Sequence, residues 1–329
     1  MGERQDHRDV LVVSVGATTG WRTAARELAG GLERGGAAVR IATARTSPEV
    51  RTFMLTDFVQ AWAAREACRR AVAEREPSAI IYCSITAALL WPRPGAIWLD
   101  SLATENRPGR HGAWQRIVER RRLAAAPLVL MMADSSLDSL PGDARPEAIV
   151  VPVAVAASGP PATERDVDVL AYAGDPEKRR LAFILDAWRR ARRDGETLVV
   201  AGIARPDAPA GVTYAGRLSP EEYRALVRRA RVYVAAPRRE DFGIAPLEAL
   251  ADGCMLVTTP SPGPYPALGL ARALDPRLVG DDLAPCLRAA LDDPVADYAQ
   301  RAAQLLAPFS REAVDATIID RVVPRLLSA

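Results

Sequence analysis

The sequence predicts an α/β protein built from two successive doubly wound parallel-sheet domains, and three observations carry that prediction. Short valine-rich apolar runs stop at glycine or proline, stretches with helical periodicity follow them, and the alternation restarts after a segment of small, proline and charged residues at 154–167. A chain that alternates strand and helix patterns forms parallel strands joined by helical crossovers, because a parallel pair needs a connection of a dozen or more residues.

The elements follow in order. "DVLVVSV" (9–15) is a buried strand ended by Gly16, and "WRTAARELAGGLERGG" behind it has apolar residues at helical spacing. "VRIATA" is the second strand, a helix from about 53 to 75 leads into the strand "SAIIYCS", and "GAIWLDS" is the next strand. The arginine-rich "WQRIVERRRLAAA" is a helix, followed by the strands "PLVLMMAD" and "EAIVVPV". After the linker come the strand "VLAYAG", the helix "RLAFILDAWRRARR", the strands "TLVVAG" and "VTYAG", the helix "PEEYRALVRRA" and the strands "VYVAAP" and "MLVTTP". This organisation gives an N-terminal domain over 1–156, a C-terminal domain over 165–310 and a terminal helix over 311–329 that packs back towards the first domain. No short repeat or low-complexity tract points to a solenoid or propeller.

Composition narrows the function. The 329 residues are 49% hydrophobic with a net charge of +2, enough for two cores and without a basic stripe for nucleic acid. Cys68, Cys83, Cys254 and Cys286 form no ligand pair, so a reduced, cytoplasmic chain is expected. The polar start "MGERQDHRDV" lacks an apolar signal core, and no run nears the roughly 18 apolar residues that span a bilayer. Peripheral contact with a membrane surface stays open. Lys178 is the one lysine among 43 basic residues.

The stretch "RREDFGIAPLEALADGC" (238–254) carries the chemistry. It follows the strand that ends at Pro237. Pro246 suits the first turn of a helix, with Ala245 as N-cap, and Gly253 suits the other end. Glu240 then lies in a loop at the carboxyl end of a strand and Glu248 in the first helical turn, where ligands of open parallel sheets bind. Gly243 permits close backbone approach, and the helix start beside Ile244 offers N–H groups to an anion. An acid in a first turn also favours the helix dipole, and a loop acid can be plain surface. As a pair, the two carboxylates suit the vicinal hydroxyls of a ribose and a hexose.

"EDFGIAPLEALADG" resembles the two-glutamate signature of the family 4 retaining glycosyltransferases, whose GT-B fold has two Rossmann-like doubly wound parallel-sheet domains facing a cleft. The resemblance covers most of the C-terminal half. It implies that Glu240 contacts the hydroxyls of the donor sugar and Glu248 the ribose of the nucleotide. Arg217 and Leu218, in "AGRLS", fall where relatives contact the base, and Gly263, in "SPGPYPAL", where a loop meets the donor phosphates and sugar. Relatives direct an arginine and a lysine at the diphosphate; here Asp175 follows Gly174 instead, Lys178 matches the lysine, and Arg179 is the candidate replacement for the arginine. In the N-terminal half, Gly16 matches the opening glycine loop near acceptor or sugar. Asp100 occupies a strand end near the reacting carbon, with His111 in the following loop; a capping aspartate explains Asp100 as well as a catalytic role does.

What the resemblance implies is retaining, front-face transfer of a hexose from a UDP-sugar or GDP-mannose to a hydroxyl acceptor in carbohydrate biosynthesis, the leaving diphosphate helping to deprotonate the acceptor. With two histidines a His-rich site is excluded and no metal is expected, and the nucleotide sugar is a substrate rather than a cofactor. The acceptor, a glycan, lipid-linked or small molecule, is set by loops at 102–114, where Arg107, Arg110 and Arg116 are either a solvated face or contacts for an anionic acceptor. Two rivals stand beside this reading: an epimerase or hydrolase with the same donor pocket, and a non-catalytic nucleotide-sugar-binding protein that has lost its diphosphate arginine.

Overall fold

The computed structural model describes residues 8–16, 18–45, 53–140, 142, 145–160, 162 and 164–328. The chain divides into two compact units, one of residues 1–154 with 311–329 and one of residues 155–310.

The first unit holds strands β1 (Asp9–Ser14), β2 (Ala38–Thr43), β3 (Ala79–Cys83), β4 (Ala96–Leu99), β5 (Val129–Met131) and β6 (Ala148–Val150), in the sheet order β2-β1-β3-β4-β5-β6. Every pairing is parallel. Its helices are α1 (Thr19–Arg34), α2 (Phe53–Glu74), the single turns α3 (Ile85–Ala88) and α4 (Ala103–Asn106), and α5 (Ala113–Ala125). Thr18 caps α1 by accepting from the Trp21 amide at 3.2 Å. The core gathers Leu11, Val13, Ile97 and Leu99 from the strands with Ala61, Ala64 and Cys68 from α2. Trp98, buried in β4, donates its indole N–H to the Val151 carbonyl at 2.8 Å.

The second unit holds β7 (Val167–Tyr172), β8 (Leu198–Ala201), β9 (Val212–Gly216), β10 (Ala230–Ala235) and β11 (Met255–Thr258), all parallel, in the order β11-β10-β7-β8-β9. Its helices are α6 (Leu181–Ala191), α7 (Pro220–Arg229), α8 (Ile244–Ala251), α9 (Pro266–Leu274), α10 (Leu283–Asp292) and α11 (Tyr298–Leu305). α7 starts with a reciprocal cap: Ser219 Oγ accepts from the Glu222 amide at 3.2 Å, and Glu222 Oε2 accepts from the Ser219 amide at 2.8 Å. The chain builds β7, β8 and β9 outward and then returns to place β10 on the other side of β7. The order therefore reverses between β7 and β10, and the loops leaving their carboxyl ends diverge around a crevice.

The C-terminal segment belongs to the first unit and is not one helix: α12 (Arg311–Thr317) runs into a π turn, Ile318–Val322, and then α13 (Val323–Leu327). Pro324 lacks the N–H that the α-helical ladder needs, which accounts for the widened turn before it. The segment packs on α1, where the Ile318 side chain lies so close that a Cβ on Gly31 would sit 2.5 Å from it. Arg34 clasps Asp315 and Arg311 pairs with Glu27 at 2.8 Å. No helix among the described residues is long and apolar enough to cross a membrane. All four cysteines are free and buried.

Candidate active site

Three loops leave the carboxyl ends of β7, β10 and β11, and hydrogen bonds knit them into one surface. The loop after β7 is shaped by Asp175, whose Oδ1 accepts from the Glu177 and Lys178 amides at 3.1 and 3.0 Å. This Asx-type turn explains why an aspartate follows Gly174: it builds the turn that presents Lys178 and Arg179. The Arg238 amide donates to the Lys178 carbonyl at 2.9 Å, joining the β10 loop to the β7 loop. Ser261 Oγ donates to the Pro237 carbonyl at 2.7 Å, and the Glu240 amide donates to the Pro262 carbonyl at 3.0 Å, joining the β11 loop to the β10 loop.

Glu240 is the hub of this surface and is only 6% exposed. Arg179 donates from Nη1 to its Oε2. Burial alone would lower the Arg179 guanidinium, but the facing Glu240 carboxylate outweighs it and holds the group above its ordinary value. Gly263 packs against the backbone of Glu240: at φ +104° a Cβ there would lie 2.2 Å from the Glu240 carbonyl oxygen. Both the left-handed backbone and the close approach require glycine. Gly243, at φ +80°, lets the Glu240 and Tyr265 side chains close over it, each 3.0 Å from where its Cβ would be.

Gly243 is also the N-cap of α8, which corrects the sequence-based placement of the cap at Ala245. The left-handed glycine turns the chain into the helix two residues earlier, so Pro246 is the third helical residue and Glu248 lies in the second turn, not the first. Its neighbour there is Arg224 of α7, which donates from Nη1 to Glu248 Oε1 at 2.9 Å and from Nε to Asp252 Oδ2 at 2.9 Å. Burial raises the Glu248 carboxyl above its ordinary value against the pull of Arg224. Among the described residues Arg224 is the one partner given to that carboxylate, and Oε2 is left to accept from elsewhere. Ile244 and Ala245 have amides at the first two helical positions, where no carbonyl of the helix can receive them.

The remaining sequence candidates fall apart into two groups. Arg217, exposed, and Leu218, half-buried, follow Gly216 at the end of β9 in the second unit. Lys178 is exposed while its backbone is fixed on both sides. Gly16 and Asp100 belong to the first unit, at the carboxyl ends of β1 and β4. Gly16 has φ +64° and its carbonyl accepts from Arg22 at 2.8 Å. Asp100 Oδ1 accepts from the Ser101 amide at 2.8 Å, so its carboxylate is a turn acceptor. His111 lies in a 3₁₀ turn, Arg110–Gly112, before α5.

The loop between α4 and α5 has its own buried polar knot. Arg107 grips the buried Asp57 of α2 through Nε at 2.6 Å and Nη2 at 3.0 Å, while Arg116 donates to the carbonyls of Arg107 and Gly109. Of the three arginines named for an acceptor, Arg107 is thus engaged with α2 and Arg116 with the loop's own carbonyls. Glu119, fully buried, accepts from the Ala103 amide at 2.7 Å through Oε2; its Oε1 and the Gln115 Oε1 one turn away have no hydrogen-bond partner among the described residues. Burial pushes the Glu119 carboxyl up to about 7, against the Ala103 amide. Neither Arg224 nor Glu119 stands out in the sequence, because each takes its meaning from a partner on another element.

Comparison with known proteins adds the class. Over 97% of this chain and 99% of the other, the fold matches sucrose-phosphate synthase from Thermosynechococcus elongatus with a TM-score of 0.74 at 16% identity. It matches WaaG, a glycosyltransferase involved in lipopolysaccharide biosynthesis, with a TM-score of 0.69 at 13% identity over 98% and 100% of the two chains. A UDP-forming trehalose-phosphate synthase from Burkholderia xenovorans gives 0.65 at 13% identity over 97% and 98%. These likenesses define the fold: two parallel-sheet α/β domains of the GT-B type. In sequence, residues 167–307, within the second unit, match the family described as glycosyl transferases group 1. A comparison with curated proteins gives no significant match.

Proposed function

We propose that this protein is a retaining glycosyltransferase that moves a hexose from a nucleotide-diphosphate sugar to a hydroxyl acceptor without a metal ion. The observation that carries the reading is the convergence of Lys178, Arg179, Glu240, Gly243 and Gly263 on the reversal point between β7 and β10. The group 1 family match over the same unit supports it.

In this reading Lys178 and the N–H groups of Arg179 not given to Glu240 hold the diphosphate, with the Ile244 and Ala245 amides as further donors. Glu240, clamped by Arg179 and by the Pro262 carbonyl, receives hydroxyls of the sugar. Glu248 Oε2 receives a ribose hydroxyl, its other oxygen being held by Arg224, and Arg217 and Leu218 flank the base. As the bond from the anomeric carbon to the diphosphate breaks, negative charge grows on the leaving oxygen. Fixed cations there lower the barrier, each contact contributing about 3 kcal/mol in comparable sites. That oxygen takes the proton of the incoming hydroxyl on the same face. Gly16 and Asp100, from the first unit, are the acceptor-side candidates.

Titration calorimetry with UDP, GDP, ADP and dTDP, each with and without EDTA, tests the donor pocket. The Burkholderia neighbour is UDP-forming by name, so UDP is the first nucleotide to try. Micromolar binding of one nucleotide, unchanged by EDTA, is expected; absence of binding to all four would overturn the reading. Turnover of the matching nucleotide sugar without an acceptor would replace the transferase by a hydrolase.

A further inference from the structure

Helix α2 is built inside out. Its core-facing positions are small, with Ala61, Ala64 and Cys68 fully buried, while its large apolar residues face outward. Phe58 is 46% and Trp62 52% exposed, and Met54 and Leu55 continue the same stripe one turn earlier. Ile117 of α5 is 55% exposed, and with these four it makes up five of the eight large hydrophobic side chains that are exposed among the described residues. Singly scattered exposed hydrophobics need no explanation, but a cluster spanning two helices does.

The cluster is a constructed surface. Phe58 stacks on Trp62, with centroids 6.5 Å apart and planes 25° apart, and meets Trp114 of α5 edge-on at 6.3 Å. Trp114 in turn packs on the core. The bidentate Arg107–Asp57 pair fastens the loop before α5 to α2, which fixes the two helices' outer faces side by side. Around this apolar centre the exposed charge of the rim is cationic: of the six arginines in 103–125, Arg107, Arg116 and Arg122 are half-buried and hold Asp57 or backbone carbonyls, and the other three stand against the half-buried acids Glu66 and Glu105. Arg110, Arg120 and Arg121 are exposed, as is Arg69 of α2.

We propose that this face of the first unit, centred on Phe58, Trp62 and Ile117, docks on an anionic lipid surface. Tryptophan and phenylalanine sit at the boundary of headgroups and acyl chains, and arginines around them meet lipid phosphates. The same rim argues against a second copy of this chain. A two-fold contact through the patch would bring two sets of arginines together, and like charges across an interface disfavour it. The inference does not rest on the transferase reading, because the binding needs neither donor nor acceptor.

The test is co-sedimentation of the full chain with vesicles of phosphatidylcholine alone and with about a third phosphatidylglycerol, a typical anionic surface. Wild-type protein is expected to pellet with the anionic vesicles, less at high salt, and the Phe58→Asp/Trp62→Asp variant at least tenfold less, with unchanged circular dichroism. Should that variant misfold, Trp62→Phe serves instead. Spin-labelled lipid is expected to quench wild-type tryptophan emission, and Trp62→Phe to lose part of that quenching. Wild-type protein left in the supernatant, equal pelleting of wild type and double variant, or quenching unaltered by Trp62→Phe would overturn the proposal. So would a dimer in sedimentation velocity that the double variant dissolves, which would assign the face to a second copy.

Discussion

At the scale of single residues, the two acids of the signature differ in how they are held. Glu240 is locked through both backbone and side chain, whereas one oxygen of Glu248 belongs to Arg224 and the other does not. Replacing Glu240 by Gln is therefore expected to lower turnover by about a hundredfold or more while leaving nucleotide affinity near wild type, as loss of a contact made in the transition state does. Glu248→Gln is expected to weaken nucleotide diphosphate binding with little change in turnover at saturation. Steady-state kinetics beside calorimetry separates the two, and the reverse pattern would exchange their roles. Gly263→Ala, which drives a Cβ into the Glu240 carbonyl, is expected to cost turnover like Glu240→Gln and stability as well. The residue types and their order were legible in "EDFGIAPLEALADG"; their clamps were not. Arg179 lies 61 positions before Glu240 and Arg224 lies 24 before Glu248, and pairs at that range are set by sheet order rather than by local spacing.

At the scale of elements, periodicity and turn residues marked the strands, the central ones most plainly because a buried parallel strand is a continuous apolar run. The start of α8 was misplaced, since a left-handed glycine cap is fixed by Tyr265 and Glu240 packing over it, contacts no local pattern encodes. Arg224 ties α7 to α8, and the Asp252 side chain it grips is fully buried and also accepts from the Ser158 amide at 2.7 Å. Arg224→Ala leaves that carboxylate without its cation and is expected to destabilise the protein by about 3 kcal/mol, read as a urea midpoint shift. Within α5, Glu119 makes stability depend on pH. Below about pH 4.5 the carboxyl is protonated whether folded or unfolded. Above that, the folded state keeps a proton that the unfolded chain releases, so the contribution is lost as pH rises and is gone past about 7. A displacement of that size corresponds to roughly 3 kcal/mol. Glu119→Gln is expected to flatten the decline between pH 5 and 8 in thermal melts; parallel profiles for the two proteins would remove Glu119 as its source.

At the scale of the whole molecule, each unit carries a strand-order reversal, and the sequence candidates follow the carboxyl ends of the strands in both. The alternation of patterns was enough to read the doubly wound class. The strand orders were not, because crossover helices look alike whichever neighbour the next strand joins. A nucleotide that binds the folded second unit must raise the melting temperature: at a hundred times its Kd the stabilisation is about 2.7 kcal/mol. A thermal shift with the preferred diphosphate, reduced in Lys178→Ala, is the expected result, and equal shifts in both would leave the lysine as ordinary surface. Lys178 has one more consequence. In a chain with a single lysine, it bears the one side-chain primary amine, exposed on a turn whose backbone is pinned by Asp175 and Arg238. An amine-selective acylating reagent would therefore report on one side-chain position, so occupancy of the crevice could be followed as protection of a single peptide in a mass spectrum, before any sugar or acceptor is identified.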